Sequence, residues 1–248
     1  MIALAQLTSH WGEWLPQFLS GLWVAVKVAA GGLVLALPLG LLLATMMHYG
    51  QRPVRWTAVV IVELGRGVPT LVLLLLIYYG LPQVQLTPTT YAAAIVALGF
   101  PTGCYASEIL RTSLRSVPNG QGEAAASLGM SPFSSFRHVT LPQATRVALP
   151  ALLGLSIIHF QGTALCFAIA LPELMSKAYN AGSLTFDYTG AFVLAGILYA
   201  AVVIPSSYMV RWLERRLDKG RSAGQMRRSK LDKLRDRVDT GLISPTND

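Results

Sequence analysis

Two residues of opposite charge, Glu63 and Arg66, stand near the middle of an apolar run, and Gln161, Gly162 and Thr163 interrupt another. A charged side chain at membrane depth costs about 2.5 to 3.5 kcal/mol on insertion scales, so such groups face a cavity or each other. Glu63 and Arg66 are three apart and share a helix face. They are either an internal ion pair that fixes the fold or a pair that faces a substrate, Arg66 toward a carboxylate and Glu63 toward an ammonium. Gly67 and Pro69 weaken the helix there and free backbone groups, the arrangement by which transporters build polar sites near the membrane centre. Thr70 adds a hydroxyl, and the glycines Gly67 and Gly162 would let a small solute reach the backbone. A substrate path is therefore expected at Glu63, Arg66, Gly67, Thr70, Gln161, Gly162 and Thr163. His159 beside them reads as a packing or hydrogen-bonding residue. Reaction chemistry has no comparable candidates. No nucleophile–base pair and no metal-ligand cluster is visible, so no catalytic residue and no metal site is expected. Cys104 and Cys166 lie in apolar stretches and read as small packing residues.

These groups must be held by membrane helices. Of the 248 residues, 53% are hydrophobic and only 13% charged, with a mean hydropathy of +0.49, where a soluble domain carries about a quarter charged residues. A large soluble domain is excluded, and with it most enzyme architectures. Apolar runs at 22–47, 56–79, 90–110, 148–170 and 188–210 predict five membrane-spanning helices. The leader 1–20 has no Lys or Arg, so it lacks the basic region of a cleaved signal and is expected to be an extracytoplasmic segment before an uncleaved helix. Arg52 and Arg55 follow the first run, and Arg111, Arg115, Arg137 and Arg146 lie at or between the third and fourth, while 81–89 carries no charge. This alternation places the N-terminus outside and the C-terminus in the cytoplasm. The net charge of +8 is concentrated at the end, where residues 211–248 hold eleven basic and six acidic side chains. Directly after an apolar span, such a surplus reads as cytoplasmic anchoring rather than as a nucleic-acid surface. Within it, 231–238 could form a short surface helix, against a solvated tail.

The stretch from Val117 to Pro132 reads as two short helices joined by a sharp turn. Pro118 stops the preceding helix, and Glu123 is expected in a first turn, where the dipole favours an anion. Gly129 supplies the break, Ser131 a cap and Pro132 the first position of the next helix. Gly120, Glu123, Ala124, Ala125, Gly129 and Pro132 thus form a small-residue elbow on which another protein could close.

The order Glu123-Ala124-Ala125, three residues, Gly129, nine residues, then Val139-Thr140-Leu141-Pro142 resembles the cytoplasmic EAA motif of ABC-importer permeases, with Val for the usual Ile. Val62-Glu63-Leu64-Gly65-Arg66-Gly67-Val68-Pro69-Thr70, Tyr105-Ala106-Ser107-Glu108-Ile109-Leu110-Arg111, Leu141-Pro142-Gln143-Ala144 and Leu171-Pro172-Glu173-Leu174 resemble the polar amino-acid uptake branch of that family. The resemblance covers about 21–217. It implies an all-α polytopic protein with a type I importer core of five helices, in a bacterial cytoplasmic (inner) membrane. It also implies a second permease subunit, the same or a related chain, an extracytoplasmic solute-binding protein, and separate ABC ATPase subunits that hold ATP and magnesium. The chain itself has no glycine-rich phosphate loop ending in Gly-Lys-Ser/Thr, so no cofactor of its own and no enzymatic activity are expected. Its domains would be 1–20 outside, 21–217 in the membrane with coupling helices at about 116–142, and a basic tail at 218–248. Many relatives have Lys-Asp-Thr-Ser where this chain has Gln161-Gly162-Thr163-Ala164. The missing acid speaks against direct recognition of a cationic amino acid by this subunit alone.

The function expected is import of amino acids by alternating access, for a small-molecule substrate delivered across membrane lipid, with no nucleic acid involved. Import of another small polar solute, a stand-alone secondary transporter and a membrane scaffold are the other readings. The elbow separates them, because a stand-alone carrier needs no ATPase dock.

Overall fold

A computed structural model describes Thr8 and residues 10–239, with side chains to Leu217, and among these residues it is entirely helical. Two compact units divide the chain, one ending at Ser207 and one beginning at Tyr208. In the first unit the longest helix is α1, Trp11–Tyr49. Its buried positions Trp14, Phe18, Gly21, Ala25, Ala29, Gly32, Ala36, Gly40, Leu43 and Met47 follow the three- and four-residue steps of one helix face. The helix begins eleven residues before the expected start at 22. Glu13, Pro16, Gln17 and Ser20 dilute the apolar run there, but the buried stripe continues through Trp14 and Phe18. At about 1.5 Å per residue α1 is about 58 Å long, about twice a hydrocarbon core, so part of it lies outside. Its front turns are a packing rib: Trp14 and Phe18 meet Leu174, Ala178, Ala191 and Leu194.

Helix α2, Arg52–Gly67, ends where Gly67 and Pro69 were expected to weaken it. Val68 and Pro69 are extended, and α3, Thr70–Leu75, restarts in a new direction. A π turn, Leu76–Gly80, and a tighter turn, Leu81–Val84, complete this arm, which is bent by 97° against α2. The run expected at 56–79 is therefore bent in two, as a broken span or a re-entrant arm. Pro69 cannot donate a backbone hydrogen bond and biases Val68 to extended backbone, and together they turn the chain. Among the described residues, four helices are long and apolar enough to cross a membrane, and the bent pair is a candidate fifth.

Helix α4, Thr90–Arg115, packs along α1. A methyl group on Gly99 would lie 2.9 Å from the Gly32 carbonyl oxygen, and one on Gly40 would lie 2.8 Å from Ala106. Without side chains there, the two backbones approach closely, as small residues allow between membrane helices. The Gly99 and Gly103 pair is thus used within one chain.

The elbow follows as α5, Asn119–Ser127, and α6, Pro132–Ser135. Gly129 has φ +76°, the left-handed conformation that glycine adopts freely and that ends helices. Ser131 caps α6 by accepting the Ser134 N–H at 3.3 Å. Glu123 is not in the first turn as expected; it is the fifth residue of α5, because the helix starts at Asn119, directly after Pro118. A π turn, Phe136–Thr140, leads into α7, Leu141–Gly162, which continues as a 3-10 helix, Thr163–Ile169. Helix α8, Leu174–Thr185, was not anticipated. Its core residues Leu174, Ala178 and Ala181 are too few to read as a span, and α1 covers them.

The last helix, α9, is Tyr188–Asp239. In the second unit Arg211 lies over the Tyr208 ring and Arg216 over the Trp212 ring, each at 4.4 Å. The short helix expected at 231–238 is backbone of α9 and not a separate element; side chains from 218 onward lie outside the described residues, as do 1–7, 9 and 240–248. Cys104 and Cys166 are buried and free.

Candidate functional site

Glu63 and Arg66 lie on the same face of α2, and their side chains pair at 3.9 Å. They are not sealed inside: the Glu63 side chain is 68% exposed and that of Arg66 36%. The helix is pressed onto α4 beside them, since a methyl on Gly65 would lie 2.4 Å from Cys104 Sγ. That seating brings the Arg66 guanidinium over the Tyr105 ring at 5.3 Å, a cation–π arrangement, while the Tyr105 hydroxyl approaches the Arg66 carbonyl at 3.5 Å. One turn on, the Glu108 carboxylate accepts from Arg111 Nε at 3.2 Å and Nη2 at 2.6 Å. An exposed patch of α2 and α4 thus carries acid, base and phenol side by side. It has the chemistry to hold a zwitterion, and its only internal charge neutralisation is short-range.

Tyr105 is the partner that sequence reasoning missed. It lies in a polar strip with Ser107 and Glu108, but nothing in the sequence says that α2 crosses α4 there.

The second set of expected path residues is placed differently. Gln161 is exposed, Gly162 half-buried, and Thr163 fully buried. The Thr163 hydroxyl donates to the Phe160 carbonyl at 2.7 Å. Thr163 therefore lies in the wall and not on an open surface, because the chain tightens into a 3-10 turn at that residue. The structure brings Thr70's helix α3 against this turn, with Leu74, Cys166 and Ile169 in one apolar cluster. It gives no contact between Gln161 and the Glu63–Arg66 pair.

His159 is buried between α7, α4 and α1. The single hydroxyl proton of Thr102 goes to the Leu98 carbonyl at 2.7 Å, so Thr102 accepts from His159 Nδ1–H at 2.8 Å. Nε2 is then the bare side and faces Gly32, where a methyl would lie 2.4 Å away. His159 is a packing and hydrogen-bonding residue, as its isolation in the sequence indicated.

Glu173, in the Leu171-Pro172-Glu173-Leu174 segment, is fully buried. Its carboxylate caps α8, accepting from Met175 N at 2.8 Å and Ser176 N at 2.7 Å, and takes the Tyr199 hydroxyl of α9 at 2.9 Å. Burial pushes this carboxyl above its ordinary range, and the backbone and hydroxyl donors draw it part of the way back. The signal was a Glu before Leu174, with Ser176 three positions on.

On the elbow, Gly120, Glu123, Ala124, Gly129 and Pro132 are exposed, while Ala125 is buried. Leu128 and Phe133 are 83% and 71% exposed. Glu123 has no ion pair among the described residues. The elbow offers a free carboxylate and two large apolar side chains on a frame of alanine and glycine.

Residues 36–219 match the family model described as binding-protein-dependent transport system inner membrane component. The probable amino-acid ABC transporter permease protein PatM of Vibrio harveyi is 33% identical over 84% of this chain and 94% of its own length. The arginine transport system permease protein ArtQ of Bacillus subtilis is 31% identical over 82% of this chain and 93% of its own length. Among solved structures, an amino acid ABC transporter with histidines superposes with a TM-score of 0.75 and 32% identity, covering 82% of this chain and 95% of that one. With its all-helical, multi-pass body and its elbow at the expected residues, this chain belongs to the family of binding-protein-dependent transport system inner membrane components.

Proposed function

We propose that this chain is the transmembrane subunit of an ATP-driven, binding-protein-dependent importer of amino acids in a bacterial cytoplasmic membrane. The observation that carries the reading is the elbow: a rigid α5–Gly129–α6 corner, with Glu123, Leu128 and Phe133 presented to a partner, has a use in a machine powered from outside the chain. Separate ATPase subunits would hold ATP and magnesium and receive Gly120, Glu123, Ala124, Ala125, Gly129 and Pro132. A second permease subunit, the same or a related chain, would complete the path, and an extracytoplasmic binding protein would deliver the solute.

Amino acids are favoured as cargo because the relatives named above are amino-acid permeases, and because Arg66 and Glu63 offer one partner each for a carboxylate and an ammonium. Gly67, Thr70, Gln161 and Gly162 would line the same path, with Thr163 behind it. Gly162 in place of an acid favours a zwitterion over a cationic substrate for this subunit.

The test is uptake into vesicles containing the chain with its ATPase and binding protein. ATP-dependent accumulation of an amino acid is expected, and Glu123→Lys should cut it at least tenfold with membrane abundance unchanged. A charge-assisted contact is worth roughly 1.5 to 3 kcal/mol, which sets that scale. Undiminished uptake by Glu123→Lys would remove the elbow from the coupling path.

A further inference from the structure

Between the end of α1 and the elbow lies a cavity of about 590 Å³, within the size range of small-molecule sites. Thr45 and Tyr49 of α1 form one wall, Ala126 of α5 and Met130 a second, and Phe133 and Phe136 a third. The lining is mostly apolar, and the ring of Tyr49 meets that of Phe136 at 5.6 Å. Tyr49 is the last residue of α1, directly after the apolar run, so the cavity sits where hydrocarbon gives way to headgroups.

Its rim is cationic. The His48 ring stacks edge-on against Tyr49 at 4.4 Å, Arg55 lies in the first turn of α2 just past the end of α1, and Arg115 ends α4, whose Leu114 belongs to the cluster that Phe136 packs against. Glu108 holds Arg111. Arg55 and Arg115 have no carboxylate within ion-pair distance among the described residues. An apolar slot of this size beside unneutralised guanidinium groups matches an amphiphile with an anionic head, and basic pockets at the membrane surface take such lipids.

We infer that the cavity between the end of α1 and the elbow binds an anionic phospholipid, its acyl chain against Thr45, Ala126 and Phe136 and its phosphate toward Arg55 and Arg115. Because α5 forms one wall, the lipid would brace the elbow, and membrane composition would act on coupling. The inference rests on the proposed function only in placing the elbow at the cytoplasmic leaflet. Lipid labelling is read directly, so a failed uptake assay does not mimic a failed site.

The experiment uses the whole transporter, permease with ATPase, in nanodiscs of phosphatidylcholine with or without phosphatidylglycerol. The probe is phosphatidylglycerol bearing a photoactivatable acyl chain, with the matching phosphatidylcholine probe as control. Crosslinks are expected at 45–49 and 126–136, at least fivefold stronger for the anionic probe. Unlabelled phosphatidylglycerol should compete where phosphatidylcholine and inorganic phosphate do not. Thr45→Trp, which fills the cavity from the α1 wall and leaves the elbow's own residues unchanged, should lower this labelling at least fivefold. Arg55→Gln with Arg115→Gln should abolish the preference for the anionic probe. Label spread evenly over the lipid-facing helices, equal labelling by both probes in the wild type, or a crosslink from the ATPase into the cavity would each overturn the site. The wild-type competition decides the matter even if Thr45→Trp fails to assemble.

Discussion

Arg66 has two partners within reach, the Glu63 carboxylate at 3.9 Å and the Tyr105 ring at 5.3 Å. Neither is a tight, buried contact. Exposed ion pairs contribute about 0 to 1 kcal/mol, so the pair is a weak device for holding α2 together and a reasonable one for meeting a charged ligand. Arg66→Gln and Glu63→Gln are therefore expected to leave membrane abundance within about twofold of wild type while lowering amino-acid uptake at least tenfold. Immunoblots beside radiolabelled uptake check this; loss of abundance in either variant would make the pair structural. The buried polar residues behave differently. Glu173 and His159 each hold partners on other elements, and loss of one partner of a buried hydrogen bond costs about 1 to 3 kcal/mol. They belong to the frame that carries the path.

At the scale of elements, the elbow depends on one backbone conformation. Gly129 has φ +76°, yet a methyl added there would meet nothing within 4 Å. A side chain would be resisted by its own backbone and not by crowding, at about 1 to 2 kcal/mol. Asn tolerates the left-handed region better than a β-branched residue does. Gly129→Asn should thus keep most ATP-driven uptake, whereas Gly129→Val should lose at least fivefold; equal effects of the two would show that space, not conformation, matters at the corner. This corner was legible in the sequence because Pro118, Gly129, Ser131 and Pro132 act locally. The break at Val68 and Pro69 was legible for the same reason. The start of α1 was not, because Trp14 and Phe18 are stabilised by α8 and α9, which are remote in sequence. Nor was Glu173 as a buried cap, since its hydrogen bond to Tyr199 spans 26 positions. For the proposed path, residue types marked Glu63 and Arg66 on α2, but the burial of Thr163 comes from a tightened turn that no periodicity signals.

For the molecule as a whole, five crossings are proposed, four helices long enough to cross among the described residues and the bent pair as the fifth. Near the end of α1, Ala44 clusters with Leu110 and Leu114 at the end of α4 and with Ala144 and Ala148 at the start of α7. Farther back, Gly32 meets Gly99 and His159. Helix α4 therefore runs parallel to α1 and begins at the far side, so the chain between Arg52 and Thr90 returns there by way of the bent pair. Helix α7 runs back antiparallel to both, from Ala144 beside Leu110 and Leu114 to His159 beside Thr102 and Gly32. Trp11 Nε1 donates to the Gly190 carbonyl at 3.1 Å, which starts α9 beside the start of α1. Both then run in one direction, toward the side that holds Arg55, Arg111, Arg115 and the elbow. The basic side of a membrane protein faces the cytoplasm. A periplasm-active reporter fused ahead of Trp11 should be active, and the same reporter after Asp248 inactive, with a cytoplasm-active reporter giving the reverse. Matching sidedness at the two positions would mean an even number of crossings. The bent pair would then be a re-entrant arm, and the chain's two ends would lie on one face.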